Sequence, residues 1–480
     1  MKILITSFLL LGLINITSVG QDLFTNSLKS LLENTNMKGA SSGISVIESG
    51  TGKIIAGLND RTSLIPASVL KTVTSATALE VFGADFRFRT ILGYTGTAIK
   101  ETKILKGNLL VLGGGDPTLG SEYFPENDSS DFIGRWVDEL ITLGISTIDG
   151  NLVVDGGIYL DDDIPGTWVW DDLGNYYGAG AYGITVYDNL FRIFFKSGPA
   201  GQLTEIVRTI PEISGLEIKN EVKASAVNRD NAYVFGSPWG GRRVVKGTIP
   251  ENREMFAVKA ALPEPARFLG EQMRNRLAGK GIRITGQVLV QTADTTGFHA
   301  VFIQQSPPLS EITKVLNHES VNLFAEQLLK HISLTRKGTR SVTDGTGFME
   351  QYWQTKGLDV SGMFIEDGSG LSHYNAISAG QLTWILNYMK AQSPANQAFY
   401  ESLPTAGKGT LAVFNPSDFP GNCLKAKSGS LTRVRNYVGF LKTEKGNELV
   451  FAFIFNNFSL SQSELTREIG KLLVTLRQQY

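Results

Sequence analysis

The stretch "LIPASVLKTVTSATALEVFG", residues 64–83, contains a Ser-x-x-Lys sequence at Ser68 and Lys71. Pro66 suits the first turn of a helix, and Gly83 suits the residue that follows its last turn. The apolar residues between them predict a helix that begins near Ser68. Lys71 would then lie one turn after Ser68, on the same face of the helix.

This pair of residues allows two interpretations. A serine at a helix N-terminus commonly caps the helix, and a lysine one turn later is commonly solvated. Alternatively, a neutral lysine accepts the hydroxyl proton and the serine acts as a nucleophile. The helix dipole would favour the negative charge that develops near such a serine. Serines and lysines are too common for Ser-x-x-Lys alone to decide between the two.

The length and composition are those of a folded protein with several domains. The chain has 480 residues, of which 42% are hydrophobic and 19% charged, and its formal net charge is -1. A single core rarely serves a chain of this length, so two or three domains are expected. The near-neutral charge argues against a nucleic-acid-binding protein, which usually carries a basic excess.

The N-terminus has the features of a secretory signal peptide. Lys2 precedes an apolar stretch at 3–14, and the small residues Ser18 and Gly20 follow it. The stretch is shorter than the roughly 20 apolar residues that a membrane span needs. Residues 1–20 are therefore predicted to be a signal peptide cleaved near Gly20. The mature chain would be exported to the periplasm or cell envelope, without a transmembrane span.

Strand patterns at both ends of the chain predict one sheet made from both. Residues 43–48 and 53–56 predict a hairpin near the N-terminus. Residues 449–455 are almost wholly apolar, as in a central strand covered on both faces. Ser461 and Glu464 then form a capping box for a C-terminal helix. The middle of the chain, rich in short β-like stretches and glycine-containing turns, is expected to be an insertion.

A second polar motif, Ser320-Val321-Asn322, precedes another apolar helical stretch. Asn322 could cap a helix that begins at Leu323. That interpretation explains Asn322 and leaves Ser320 without a role.

A third motif, Lys427-Ser428-Gly429-Ser430, lies on a β-like segment that leads into a turn. It could be no more than a polar sheet edge. Alternatively, Lys427 supplies positive charge for a carboxylate, and the small residues after it leave room for a substrate backbone to pair alongside.

In this order, the three motifs resemble those of the penicillin-binding protein and serine β-lactamase superfamily. Ser428 stands where threonine is more usual, and the hydroxyl is kept. The long separation of Lys71 from Ser320, "GGGDPTL" at 113–119 and "EDGSGLSHYNAIS" at 366–378 narrow the resemblance. They are similar to the class C low-molecular-mass penicillin-binding proteins, the D-Ala-D-Ala carboxypeptidase/endopeptidase family. The resemblance covers nearly the whole mature chain.

The resemblance implies an α/β (α+β) fold: a transpeptidase or β-lactamase-like domain in which helices flank an antiparallel sheet. Two nested, strand-rich inserted domains would interrupt it. The catalytic domain is expected at 21–83 and 297–480. Inserted domain II is expected at 84–163 and 247–296, and inserted domain III at 164–246.

The resemblance also implies cleavage of D-Ala-D-Xaa bonds in peptidoglycan peptides through an acyl-enzyme on Ser68. β-Lactam antibiotics would be covalent inhibitors. Lys71 would accept the serine proton, helped by a pKa that neighbouring positive charge lowers. Ser320 would relay a proton to the leaving amine, and Asn322 would hold the peptide amide and orient Lys71. Lys427 would bind the terminal carboxylate.

Further residues are expected to bind substrate. Ser428 would assist with the carboxylate, Gly429 and Ser430 would line the strand, and the backbone N–H groups of Ser68 and Ser430 would form an oxyanion hole. In the family, an acid from the inserted domain and an Arg after Asp-Gly-Ser-Gly-Leu-Ser grip a diaminopimelate side chain. Asp155 matches the acid, and His373 stands at the Arg position.

Several alternatives stay open. Asp155 could cap the turn before Gly156-Gly157, and His373 could pack locally. The aromatic cluster "WVWDDLGNYY" at 168–177 could contact a sugar or peptide, or pack within the protein. The same scaffold could carry a β-lactamase, an esterase or a non-catalytic cell-wall binding protein. The four histidines lack metal-ligand spacing, so no metal or other cofactor is expected.

Overall fold

The computed structural model describes residues 23–125, 131–159, 164–334 and 341–480. The predicted signal peptide, residues 1–20, lies outside the described residues. Within them, every helix is too short or too polar to cross a membrane.

Helical and strand-rich segments alternate along the described chain. The helices are α1 (Leu23–Leu32), α2 (Lys71–Phe82), α3 (Phe132–Thr142), α4 (Pro265–Gly279), α5 (Leu309–Glu319), α6 (Asn322–Ser333), α7 (Val342–Thr355), α8 (Ala379–Ala391), α9 (Asn396–Ser402) and α10 (Gln462–Gln479). The strands are β1 (Ser41–Glu48), β2 (Ile54–Leu58), β3 (Arg89–Tyr94), β4 (Thr97–Ile99), β5 (Ile104–Lys106), β6 (Leu109–Leu112), β7 (Thr147–Asp149), β8 (Leu152–Asp155), β9 (Leu190–Ser197), β10 (Glu205–Ile210), β11 (Glu217–Ser225), β12 (Asn231–Phe235), β13 (Arg242–Pro250), β14 (Arg253–Ala261), β15 (Arg283–Ile284), β16 (Val288–Val290), β17 (His299–Gln305), β18 (Leu424–Leu431), β19 (Val434–Lys442) and β20 (Glu448–Asn456).

One antiparallel sheet combines both ends of the chain, in the order β18-β19-β20-β1-β2. The prediction of a sheet made from both termini is therefore confirmed. Central strand β20 is apolar throughout because both its faces are covered. Ala452 and Ile454 pack into a core that includes α2, α6 and α8. Phe451 and Phe453 pack on the other side with α1 and α10.

The inserted chain forms further sheets, as the strand-rich sequence predicts. Two of them, β16-β8-β6-β3-β17 and β15-β7-β5-β4, share a core with α3 and α4. Two smaller sheets, β10-β9-β14 and β11-β13-β12, enclose a separate core nested within the first insert.

Two of the expected domain boundaries cut through hydrogen-bonded sheets. The boundary at 246/247 falls inside β13, and the chain turns only after Pro250. Gly247 is needed for close strand contact, since a Cβ there would lie 2.1 Å from the carbonyl oxygen of Asn231. The boundary at 296/297 precedes β17, which pairs with β3 of the insert. The boundary at 163/164 borders residues 160–163, which lie outside the described residues.

Candidate active site

Ser68 lies in a short 3-10 turn that leads directly into α2, close to where the sequence predicts a helix start. The chain before it is fastened to the central sheet. The side-chain amide of Asn436, on β19, donates to the carbonyl oxygens of Ile65 at 2.9 Å and Pro66 at 2.7 Å. The sheet therefore fixes where the Ser68 hydroxyl lies.

Two glycines allow other backbone segments to approach Ser68 closely. A Cβ on Gly370 would lie 2.0 Å from the carbonyl oxygen of Ala67. A Cβ on Gly429 would lie 2.6 Å from the carbonyl oxygen of Pro66 and 3.1 Å from the backbone nitrogen of Ser68. Gly429 therefore packs β18 against the serine segment, and room for a substrate alongside the strand stays a prediction.

Lys71 is fully buried, and its ammonium group has three hydrogen-bond acceptors. Nζ donates to the Oγ of Ser68 at 2.9 Å, to Oδ1 of Asn322 at 2.6 Å and to the carbonyl oxygen of Ser369 at 2.7 Å. All three protons are thus satisfied, and the side chain is aimed at the serine.

Burial lowers the pKa of Lys71 to about 7, and the charges of Asp367 and Glu326 oppose that shift. The prediction that neighbouring positive charge lowers this pKa is wrong in its cause, because loss of hydration disfavours the ammonium form here. A lysine with this pKa is partly neutral near pH 7 and is able to accept a proton.

Asn322 bridges Lys71 and the inserted chain. It is the first residue of α6, and its side chain does not cap the helix. Its Oδ1 accepts from Lys71, and its Nδ2 donates to the carbonyl oxygen of Tyr177 at 2.8 Å. The helix-cap interpretation of Asn322 is therefore wrong, since both ends of the amide are engaged elsewhere.

A second lysine–serine pair lies beside the first. Ser320 adopts a left-handed conformation (φ 60°) at the turn between α5 and α6. Nζ of Lys427 donates to its Oγ at 3.0 Å and to the carbonyl oxygen of Ser428 at 2.7 Å. Burial, followed by the charges of Lys71 and Arg435, lowers the pKa of Lys427 well below its usual range. Two buried amines that interact in this way disfavour a second charge.

Two buried carboxyl groups support the loop that contacts Lys71. Glu326 accepts the backbone N–H groups of Gly368 at 3.0 Å and Ser369 at 2.8 Å. Burial, then the charge of Asp367, raises the pKa of Glu326 to about 8. Asp367 is also fully buried. The two acids therefore fix the Ser369 carbonyl that accepts from Lys71.

Glu326 and Asp367 are site residues that the sequence motifs do not predict. Asp367 is the first residue of Asp-Gly-Ser-Gly-Leu-Ser, a sequence that by itself assigns it no role. An acid inside the apolar stretch of α6 was the one available signal for Glu326, because charged residues are seldom fully buried without a partner.

Ser68 opens into a cleft of about 710 Å³. The catalytic fold contributes Ser68, Glu319, Ser320, Asn322, Gly370, Leu371, His373, Ser430, Leu431 and Thr432 to its walls. The inserted chain contributes Val169, Asp171, Asp172, Tyr176, Tyr177, Tyr233 and Phe235. A groove of about 920 Å³ beside α10 contains none of the predicted site residues.

Asp155 lies at the end of β8 and is absent from the walls of this cleft. One of its carboxylate oxygens accepts the N–H of Gly157 at 2.7 Å, and the other accepts the N–H of Ala293 at 2.9 Å. This is the turn-capping arrangement that the sequence left open. The described cleft therefore does not include Asp155 as a substrate contact.

His373 is exposed on the cleft wall, where the resemblance implies a basic residue. The acid beside it is Asp172. Burial raises the pKa of Asp172, and the charge of His373 opposes part of that rise. A contact between His373 and a substrate side chain stays a prediction. Among the described residues, no cluster of three His, Cys, Asp or Glu side chains could hold a metal ion.

Known proteins resemble this chain over most of its length. A D-alanyl-D-alanine carboxypeptidase of Actinomadura sp. (strain R39) is 26% identical over 447 residues, which cover 90% of this chain and 80% of that protein. D-alanyl-D-alanine carboxypeptidase DacB of Haemophilus influenzae is 25% identical, covering 89% of this chain and 88% of that protein. The crystal structure of penicillin binding protein 4 (dacB) from Haemophilus influenzae has a TM-score of 0.80 at 23% identity, covering 95% of this chain and 99% of that chain.

The structural similarity confirms the expected fold class. The sequence profile of the D-Ala-D-Ala carboxypeptidase 3 (S13) family matches residues 24–480. The chain therefore belongs to the D-Ala-D-Ala carboxypeptidase 3 (S13) family.

Proposed function

We propose that this chain is a serine-type D-Ala-D-Ala carboxypeptidase and endopeptidase. It cleaves D-Ala-D-Xaa bonds in peptidoglycan peptides, and β-lactams acylate it. One observation carries the proposal: a buried lysine with a pKa of about 7 lies 2.9 Å from the hydroxyl of Ser68. The names of the carboxypeptidase relatives support the choice of substrate.

In the proposed acylation, neutral Lys71 takes the hydroxyl proton of Ser68 while Oγ attacks the substrate carbonyl. Asn322 and the Ser369 carbonyl keep Nζ aimed at Oγ, so no reorientation is needed as the proton moves.

Ser320 relays a proton to the leaving amine as the tetrahedral intermediate collapses. The net transfer is from the hydroxyl of Ser68 to the amine, and the C–N bond breaks as the ester remains. Lys427 holds the Ser320 hydroxyl in place through their 3.0 Å contact. In deacylation, water takes the place of the serine as the attacking group and restores Ser68.

Charge on the tetrahedral oxygen is stabilised by the backbone N–H groups of Ser68 and Ser430. The close packing of Gly429 on the Ser68 segment supports the proposal that the N–H groups of Ser68 and Ser430 lie near each other. Lys427 and Ser428 bind the terminal carboxylate of the peptide.

We also propose that the chain is exported to the periplasm or cell envelope, after cleavage near Gly20. A peptidoglycan substrate lies outside the cytoplasmic membrane, which agrees with the signal-peptide features of the sequence.

A fluorescent penicillin and purified muropeptides test the function together. The label should map to Ser68, and Ser68→Ala should remain unlabelled. Release of D-Ala from pentapeptides would report carboxypeptidase activity, and cleavage of cross-linked dimers would report endopeptidase activity. Rapid penicillin hydrolysis without peptide turnover would instead indicate a β-lactamase. Failure of both reactions would indicate a binding protein.

A further inference from the structure

One segment of the inserted chain, residues 168–177, contacts the groups that hold Lys71. Trp168 stands at the start of this segment and is 7% exposed. Its indole Nε1–H donates to Oδ2 of Asp367 at 2.8 Å. A tryptophan from the insertion thus donates to a fully buried carboxyl group of the catalytic fold.

The other end of the segment makes a second contact with the same network. The carbonyl oxygen of Tyr177 accepts from Nδ2 of Asn322 at 2.8 Å. The opposite end of that amide accepts from Lys71 at 2.6 Å. The segment therefore restrains the orientation of the Asn322 side chain.

Asp367 links Trp168 to the loop that contains Ser369. Its Oδ2 also accepts the N–H of Ser372 at 2.6 Å, and its Oδ1 accepts the N–H of Gly370 at 2.7 Å. These bonds close the loop around Ser369, whose carbonyl oxygen is an acceptor for Lys71. Loss of one partner of Asp367 would loosen this loop.

The segment is itself held firmly within the insertion. The side chain of Asn175 donates to the carbonyl oxygen of Asp171 at 2.7 Å and accepts the N–H of Val234 at 2.9 Å. The N–H of Ala261 donates to the carbonyl oxygen of Gly174 at 2.9 Å. The segment that contacts Asp367 and Asn322 is therefore itself fixed by hydrogen bonds.

We propose that Trp168 is a positioning residue for the reaction at Ser68. Its indole N–H, with the carbonyl of Tyr177, fixes two of the acceptors that aim Lys71. The insertion is then part of the machinery that orients the base. This inference rests on the proposed function, in which Lys71 is the base.

The sharpest test removes the indole N–H and keeps the shape of the ring. Trp168 is replaced by the benzothiophene analogue of tryptophan, in which sulfur stands for N–H, and Trp168→Phe serves as a second variant. The control is the same analogue at Trp170, which is 56% exposed. The readout is the acylation rate constant with a fluorescent penicillin from pH 5 to 10.

We expect the plateau rate of the Trp168 analogue to fall about tenfold or more, since small misplacements of a catalytic group are costly. We also expect the midpoint of its pH profile to move to lower pH. The ammonium form of Lys71 donates to the loosened acceptors, so that form is stabilised less. The charged or titratable groups that face Lys71 are Glu326 on α6, Asp367 in its loop and Lys427 on β18. Of these, only Asp367 loses a hydrogen-bond donor in this variant.

An unchanged rate and midpoint at Trp168 would overturn the inference, provided that the parent protein is acylated. A lower plateau with an unchanged midpoint would also overturn it, because the acceptors of the Lys71 ammonium group would then be undisturbed and the loss would have another cause. If the parent and the Trp170 control both fail to label, the proposed function has failed instead. If Trp168→Phe does not fold, the rate and the midpoint of the benzothiophene variant alone test the inference.

Discussion

Lys427 donates to the hydroxyl of Ser320 at 3.0 Å, much as Lys71 donates to Ser68 at 2.9 Å. The site therefore holds two buried lysines, each with its own serine. Ser68 is expected to form the ester, and Ser320 is expected to serve the leaving group.

Ser320→Ala should lower D-Ala release by roughly 10²–10⁴-fold, the range typical of a lost general acid or base. The leaving amine would lose its proton donor, and Lys427 would lose an acceptor. Single-turnover release of D-Ala from a pentapeptide measures the effect. Ser310→Ala, on the helix α5 that precedes Ser320, is the control and should match the parent. Equal rates for Ser320→Ala and the parent would remove Ser320 from the mechanism.

The acylation rate should rise with pH through about 7, the pKa of Lys71. The neutral amine is the proton acceptor, and its fraction grows as pH increases through that value. The second-order rate constant for penicillin labelling, measured from pH 5 to 9, gives the midpoint.

Lys71→Arg provides the control for this pH dependence. Arginine keeps its proton throughout the range, so labelling should be abolished at every pH. A flat profile in the parent, or a labelled arginine variant, would contradict the assignment of Lys71 as the base.

Gly429→Ala should reduce acylation at least tenfold while the protein stays folded. The new Cβ would lie 2.6 Å from the carbonyl oxygen of Pro66, so β18 or the Ser68 segment must move. Penicillin labelling and thermal unfolding together measure the change. Gly39→Ala is the control, because a Cβ there meets nothing within 4 Å. A fully active Gly429→Ala variant would show that the close packing is dispensable.

Glu326 should make the protein less stable as pH rises from 5 to 7. Its pKa in the folded protein, about 8, lies above that in the unfolded chain. In this interval the folded protein keeps a proton that the unfolded chain releases, so raising the pH favours unfolding. Urea unfolding at both pH values gives the difference in free energy. Glu326→Gln should show a smaller difference, and an equal one would show that another group is responsible.

The residues of the three motifs could be predicted because each motif is local in sequence. Ser68 and Lys71 are one turn apart, and Ser320 and Asn322 share one turn between helices. The structure brings all of these together with Lys427. By contrast, Trp168 and Asp367 are 199 residues apart, and no local pattern marks their hydrogen bond.

The cause of the lowered pKa of Lys71 also could not be predicted from the sequence. It depends on burial, which is a property of the packed helices rather than of neighbouring residues. The expected boundary at 246/247 divides β13, because the extent of that strand depends on its pairing with β11 and β12 rather than on a local sequence pattern. Terminal helix α10 was predicted correctly, since its capping box at Ser461 is encoded locally.

The sheet that joins both chain ends has a consequence for biosynthesis. Ser41 on β1 pairs with Asn456 on β20, so β1 meets this partner only after the whole insertion and the strands β18 and β19 have been made. At roughly 5–20 residues per second, the emerging β1 waits tens of seconds for that partner, while the inserts close over shorter separations. Until β18 arrives with Lys427, Ser68 lacks the strand that it packs against. We therefore expect the nascent chain to be inactive until β18 has been made and packs against the Ser68 segment.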